Sequence, residues 1–124
     1  MNDQPTGSYD TSDRPFQLLE ALTLHAEQID GVRRKDLRPG DRVIVSTRNS
    51  IYSITATDEE AYDVAGGWFD RQGNSPIRLE INGCTAGGSA LFRRMLAAPG
   101  LFLEFANGVK TTRIRTVRLL RSPA

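Results

Sequence analysis

The sequence predicts a mainly β protein: a small antiparallel barrel or sandwich of about six to seven short strands, preceded by one N-terminal amphipathic α-helix. Three observations predict it. From Leu37 onward, turn signals recur every roughly 8–12 residues, with β-branched and aromatic runs between them. Within those runs apolar residues alternate at period two, most cleanly at Ile77, Leu79 and Ile81. Ahead of Leu37 the apolar spacing changes to three and four residues, at Phe16, Leu19, Leu22, Ala26 and Ile29.

Residues 1–12 are polar and hold too little apolar surface to offset the entropy of ordering them, so they read as a disordered tail. Residues 13–31 read as the helix. Asp13 or Ser12 supplies an N-cap, Pro15 fits the first turn, and Gly31 closes the C-terminus. The apolar stripe would pack over an open end of the barrel or against a second copy. Val32-Arg33-Arg34-Lys35-Asp36 reads as a linker.

Residues 37–121 read as the barrel domain. Leu37-Arg38-Pro39-Gly40-Asp41 is a turn with the Pro-Gly centre of a type II bend. Strands are expected at 42–47, 51–57 and 61–65, the third broken by Gly66 and Gly67 before Trp68 and Phe69. Residues 70–76 are a loop, and further strands cover 77–81, 91–96 and 101–106. Ala98-Pro99-Gly100-Leu101 is a second type II turn. Asn107-Gly108 reads as a two-residue type I′ hairpin turn. That turn pairs Glu104 with Thr111 and Leu101 with Ile114, and sets Glu104 diagonal to Arg113. The returning strand, 109–120, changes apolar phase after Ile114, so a bulge or bend near Arg115-Thr116 must bring Val117 and Leu119 back to the core.

Composition narrows the function classes. A chain of 124 residues is one domain. One Cys makes no internal disulfide, and one His with no Cys cluster makes no zinc site. Neither a signal peptide nor a run of about 20 apolar residues is visible, so a soluble, cytoplasmic protein without a membrane role is expected. The net charge of +1 hides an asymmetry: residues 1–64 hold 12 acids and 7 bases, and residues 93–124 one acid and seven bases.

The most unusual stretch is Asn82-Gly83-Cys84-Thr85-Ala86-Gly87-Gly88-Ser89. Gly83 and Gly88 have the spacing of a phosphate loop, but Ser89 stands where the Lys must be, and no long helix can follow before Pro99. An anion nest of converging backbone N–H groups is one reading of Gly83, Cys84, Thr85, Gly87, Gly88 and Ser89. A tight strand crossing, where only Gly fits and Thr85 and Ser89 satisfy the turn, is the plainer one. Cys84 has no His near it in sequence, His25 being nearly sixty residues earlier, so it reads as a small buried hydrophobe and not a nucleophile. Asp58-Glu59-Glu60 reads as a charged turn before a cation site. The basic residues Arg93, Arg94, Lys110, Arg113, Arg115 and Arg118 are candidates for contact with an anion or a nucleic acid, with Phe102 opposite Arg113 as a stacking platform. Charge protecting an edge strand explains the same residues.

The segments Arg48-Asn49-Ser50-Ile51-Tyr52, Gly66-Gly67-Trp68-Phe69, Asn82 to Ser89, Gly100-Leu101-Phe102-Leu103-Glu104-Phe105 and Thr111-Thr112-Arg113-Ile114 resemble a group of small uncharacterised bacterial proteins. Those proteins share a motif near Asn-Gly-Cys/Ser-Thr-x-Gly-Gly-Ser, and Ala86 stands where they often carry an aromatic residue. The resemblance covers roughly residues 40–119 and implies a small β-barrel-like domain with no assigned activity. Together these readings point to a non-enzymatic binding or regulatory module with no cofactor. Its partner is a protein or a second copy, and the alternative is a nucleic acid or anion held by the basic strand and the Gly-rich loop.

Overall fold

A computed structural model describes residues 27–123. The expected tail and residues 13–26 of the expected helix lie outside the described residues. The chain runs β1 (Glu27–Ile29), β2 (Val32–Arg33), a 3-10 turn (Arg34–Asp36), β3 (Arg42–Ser46), β4 (Ile51–Ala56), β5 (Tyr62–Gly66), α1 (Gly67–Arg71), β6 (Ile77–Leu79), β7 (Ile81–Thr85), β8 (Leu91–Phe92), β9 (Met95–Ala97), β10 (Phe102–Phe105) and β11 (Thr116–Leu120). The protein is mainly β and antiparallel, as its pattern predicts. Among the described residues the strands do not close into a barrel. Six strands make an open sheet in the order β1-β11-β3-β4-β5-β6; β10-β7-β8 make a second sheet, and β2-β9 a two-stranded ribbon.

All three share one core. Val43, Val45, Ile54, Val64 and Val117 from the large sheet meet Cys84, Leu103 and Phe105 from the small one and Leu96 and Ala97 from β9, each fully buried. The pairs Val43↔Ile54, Ile54↔Val64 and Val45↔Val117 place these residues opposite one another, so their side chains share a face. Ile44 is buried as well, so β3 is covered on both sides, as befits a central strand with a continuous apolar run.

Several expectations change. The helix expected over 13–31 does not reach Gly31, because Glu27–Ile29 is strand β1, paired with Leu119, Arg118 and Val117 of β11. Ile29, the last residue of the helical stripe, packs against the core from an extended backbone. The strand expected at 77–81 divides into β6 and β7, and that at 91–96 into β8 and β9. In both cases one expected strand serves two different sheets, which the local apolar pattern does not reveal. Gly66 and Gly67 do not merely end a strand; with φ of +98° and +50° they start α1. Gly67 lies against the Tyr52 ring with no room for a Cβ, and the Tyr52 hydroxyl accepts the Trp68 N–H at 3.2 Å. Phe69 thereby enters the core at 4.9 Å from the Phe105 ring, edge to face.

The two Pro-Gly bends form as read. Asp41 N–H donates to Arg38 O at 3.0 Å with Gly40 at φ +92°, and Leu101 N–H donates to Ala98 O at 3.2 Å with Gly100 at φ +91°. The hairpin after β10 differs. Its loop has three residues, Ala106, Asn107 and Gly108, closed by Phe105 N–H to Val109 O at 2.8 Å. A type I turn followed by a left-handed glycine, Gly108 at φ +89°, produces that length. The register moves by one, so Glu104 opposes Lys110 instead of Thr111. Beyond it residues 112–115 leave β10, and Arg115 N–H donates to Ser46 O as the chain joins the large sheet. That is the bend demanded by the phase change after Ile114; Ile114 and Val117 are both buried.

The end of β11 is fastened by a buried carboxylate. Asp41, fully buried, accepts Arg38 N–H at 2.9 Å, the Arg121 guanidinium at 2.7 Å and Ser122 N–H at 2.8 Å. Burial alone would raise its pKa; the two backbone donors and Arg121 outweigh it and hold the carboxyl down at about 2.

Candidate functional site

The Gly-rich segment divides into a packed half and an exposed half. Gly83 lies in β7 beneath β8 at φ +140°; a Cβ there would stand 2.5 Å from Phe92 O and 3.0 Å from the Arg93 Cα. This is a strand crossing that only glycine permits. Cys84 is fully buried, its thiol donates to Leu96 O at 3.3 Å, and burial pushes its pKa up to about 11. A thiol so held stays protonated at neutral pH, the form that reacts slowly. The Thr85 hydroxyl, also buried, accepts Gly87 N–H at 2.8 Å and donates to Gly88 O at 3.4 Å, so the loop satisfies itself. Gly87, Gly88 and Ser89 form its exposed tip. His25 lies outside the described residues.

The basic C-terminal residues do not line one strand. Lys110 pairs with Glu104 at 3.7 Å, and Asn82 donates to the same carboxylate at 2.8 Å. Arg113 lies over the Phe102 ring at 4.8 Å and donates to Gly100 O at 2.8 Å. Arg118 donates to the Gln28 side chain of β1 at 3.2 Å. Arg115 is exposed between the two sheets. These side chains spread over the surface because residues 112–115 cross from one sheet to another.

Arg93 and Arg94 belong to a different assembly. They form the turn between β8 and β9 and line an open groove of about 1050 Å³ with Arg33, Lys35, Leu91, Phe92, Met95 and Leu101. The opposite wall is the segment that reads as a linker in the sequence. Arg34 ties the two walls together: its N–H donates to Arg94 O at 3.1 Å, and its guanidinium donates to the carbonyls of Arg93 and Ile81. Its donors are therefore spent on the frame. Arg33, Lys35, Arg93 and Arg94 are exposed and form no ion pair or side-chain hydrogen bond among the described residues. Among the described residues no acid lines the groove.

The floor is apolar, and the reason lies in the register. Phe92 pairs with Cys84, which pairs with Leu103, so the three side chains share a face of the small sheet. Cys84 and Leu103 are fully buried, whereas Phe92, on the outermost strand, is 47% exposed. The core face of this sheet thus runs out past its cover. The triple-basic run Arg33-Arg34-Lys35 was the available signal for the far wall; nothing in the chain order brings it to Arg93 and Arg94, sixty residues on.

Among the described residues no group of three or more His, Cys, Asp or Glu could hold a metal ion, and no helix is long and apolar enough to cross a membrane. Compared with known protein families, curated proteins and solved structures, the chain matches none significantly.

Proposed function

We propose that this chain is a non-enzymatic binding module that docks a protein partner in the groove between the β8–β9 turn and residues 33–35. The observation that carries this reading is Phe92, half exposed on a row whose other members are core. A large apolar side chain left bare beside Leu91, Met95 and Leu101 gains stability when a partner covers it. The four cations at the rim select that partner by charge and steer its approach. A peptide carrying both acidic and apolar side chains meets both requirements.

The test is a titration of isotopically labelled protein with a seven-residue peptide of alternating Glu and Leu, followed by NMR. The expected result is saturable shifts confined to residues 33–35 and 91–95, lost in Phe92→Asp and in the Arg93→Glu/Arg94→Glu double variant. Shifts elsewhere, or none, would refute the reading. A second reading, binding of single-stranded nucleic acid, draws on Phe92 among unpaired cations and on Arg113 over Phe102. An oligo-dT titration at low salt checks it; the aliphatic majority of the floor favours the peptide.

A further inference from the structure

The groove also has a backbone edge that is unpaired among the described residues. There β8 is the outermost strand of the sheet β10-β7-β8, bonded to β7 alone, and both its residues, Leu91 and Phe92, line the groove. In an antiparallel ladder, successive residues turn their N–H and C=O groups alternately toward and away from the partner strand. One of Leu91 and Phe92 therefore presents both groups to the open side. An outermost strand of this kind is ordinarily covered, or protected by charge. Here the charge is present, as Arg93 and Arg94 directly after β8, but it has one sign and no partner among the described residues. That arrangement repels a basic strand and attracts an acidic one.

We propose that the groove takes its peptide by strand addition: an extended segment of a protein partner, acidic and apolar by turns, pairs with β8 as the fourth strand of the small sheet. The proposal rests on the docking reading above and specifies its ligand and mode. An added strand places alternate side chains on opposite faces. Apolar residues at one parity continue the Cys84–Phe92 row and cover Phe92. Acidic residues reach Arg33 and Lys35 on one wall and Arg93 and Arg94 on the other. The Arg34 bonds to Arg93 O and Ile81 O hold the two walls apart at a fixed width, so the slot exists before the ligand arrives.

The experiment compares four kinds of probe on the full chain by NMR and calorimetry: the alternating Glu-Leu peptide, the same peptide N-methylated at alternate residues, an isomer with its Glu and Leu residues at helical spacing, and oligo-dT. Alternate N-methylation, made in both possible registers, keeps every side chain and in one register removes the donors that would face β8. Strand addition predicts ~10-fold or greater loss of affinity in that methylated register and in the helical isomer, with slowed amide exchange at Leu91 or Phe92 in the complex. It predicts that Arg93→Glu/Arg94→Glu reverses the preference toward a Lys-Leu peptide. Equal binding of both methylated registers and the parent peptide at residues 91–95 overturns strand addition and leaves the docking reading standing. No peptide binding at all overturns both. Tighter binding of oligo-dT than of any peptide overturns the ligand class.

Discussion

Asp41→Asn is the most informative single change to the fold. The carboxylate is fully buried and takes three hydrogen bonds, from Arg38 N–H, Arg121 and Ser122 N–H. Its pKa falls from 3.8 to about 2 on folding. At about 1.4 kcal/mol per unit, that difference corresponds to about 2.5 kcal/mol of stability held by the charged form. Because the folded pKa is the lower one, this stability is fully present above pH 3.8 and is lost as pH falls through about 2. Asn keeps the shape, loses the charge, and turns an NH₂ group toward donors, so a loss of about 2.5 kcal/mol or somewhat more is expected at pH 7. For a chain of this size that lowers the melting temperature by roughly 8 °C. Circular dichroism melts of both proteins between pH 7 and pH 2 measure it. The gap should be widest at neutral pH and shrink toward pH 2, where the native carboxyl protonates too. A gap that does not change with pH, or none at pH 7, would refute the assignment of Asp41 as a charged fastener.

Other expectations follow from the same geometry. Gly83→Ala forces a Cβ against the backbone of Phe92 and Arg93 and should cost roughly 2 kcal/mol or more, whereas Gly88→Ala, in open space, should stay within about 0.5 kcal/mol; equal melts for the two would count against the strand crossing. Cys84 should resist alkylation in the native protein at pH 8 and react at once in denaturant; rapid native labelling would show that the thiol is neither buried nor raised in pKa. Tyr52→Phe removes the acceptor for Trp68 N–H and should lower stability by about 1 kcal/mol in urea titrations, and an unchanged midpoint would contradict that bond. Phe92→Ala should leave the melting temperature nearly unchanged, since the ring is half exposed, while weakening the alternating Glu-Leu peptide; a large drop in stability would mark Phe92 as core.

Local signals in the sequence carried local structure. The bends at Pro39-Gly40 and Pro99-Gly100 formed as read, because Pro presets φ and Gly supplies the positive φ that a type II turn requires. Strands β3, β4, β5 and β10 fall within one or two residues of their expected ends. What failed was long-range assignment. Glu80 sits inside a perfect alternation, yet the chain changes sheets there, since periodicity reports which side is buried and not against what. Ile29 suited a helical stripe and a strand equally, and pairing with Val117 decided in favour of the strand. Asn107-Gly108 named a hairpin correctly and its length wrongly, because both the two- and three-residue loops want a glycine at that place. For the candidate site, the sequence marks Arg93 and Arg94 as anion contacts and leaves Arg33 and Lys35 in a linker. Three adjacent bases in a short connector look like a solvated linker until folding sets them opposite another basic pair.

The position of β11 has a consequence for how the protein comes to be made. It lies between β1 and β3, and Thr116, opposite Ser46, is seventy positions further along the chain. While a ribosome is still translating the intervening residues, β3 and β4 can already pair, but the far side of β3 stays bare until β11 emerges. The sheet therefore closes by late insertion into a waiting gap, and any delay in synthesis before Thr116 lengthens the interval in which nascent chains can join one another through that gap.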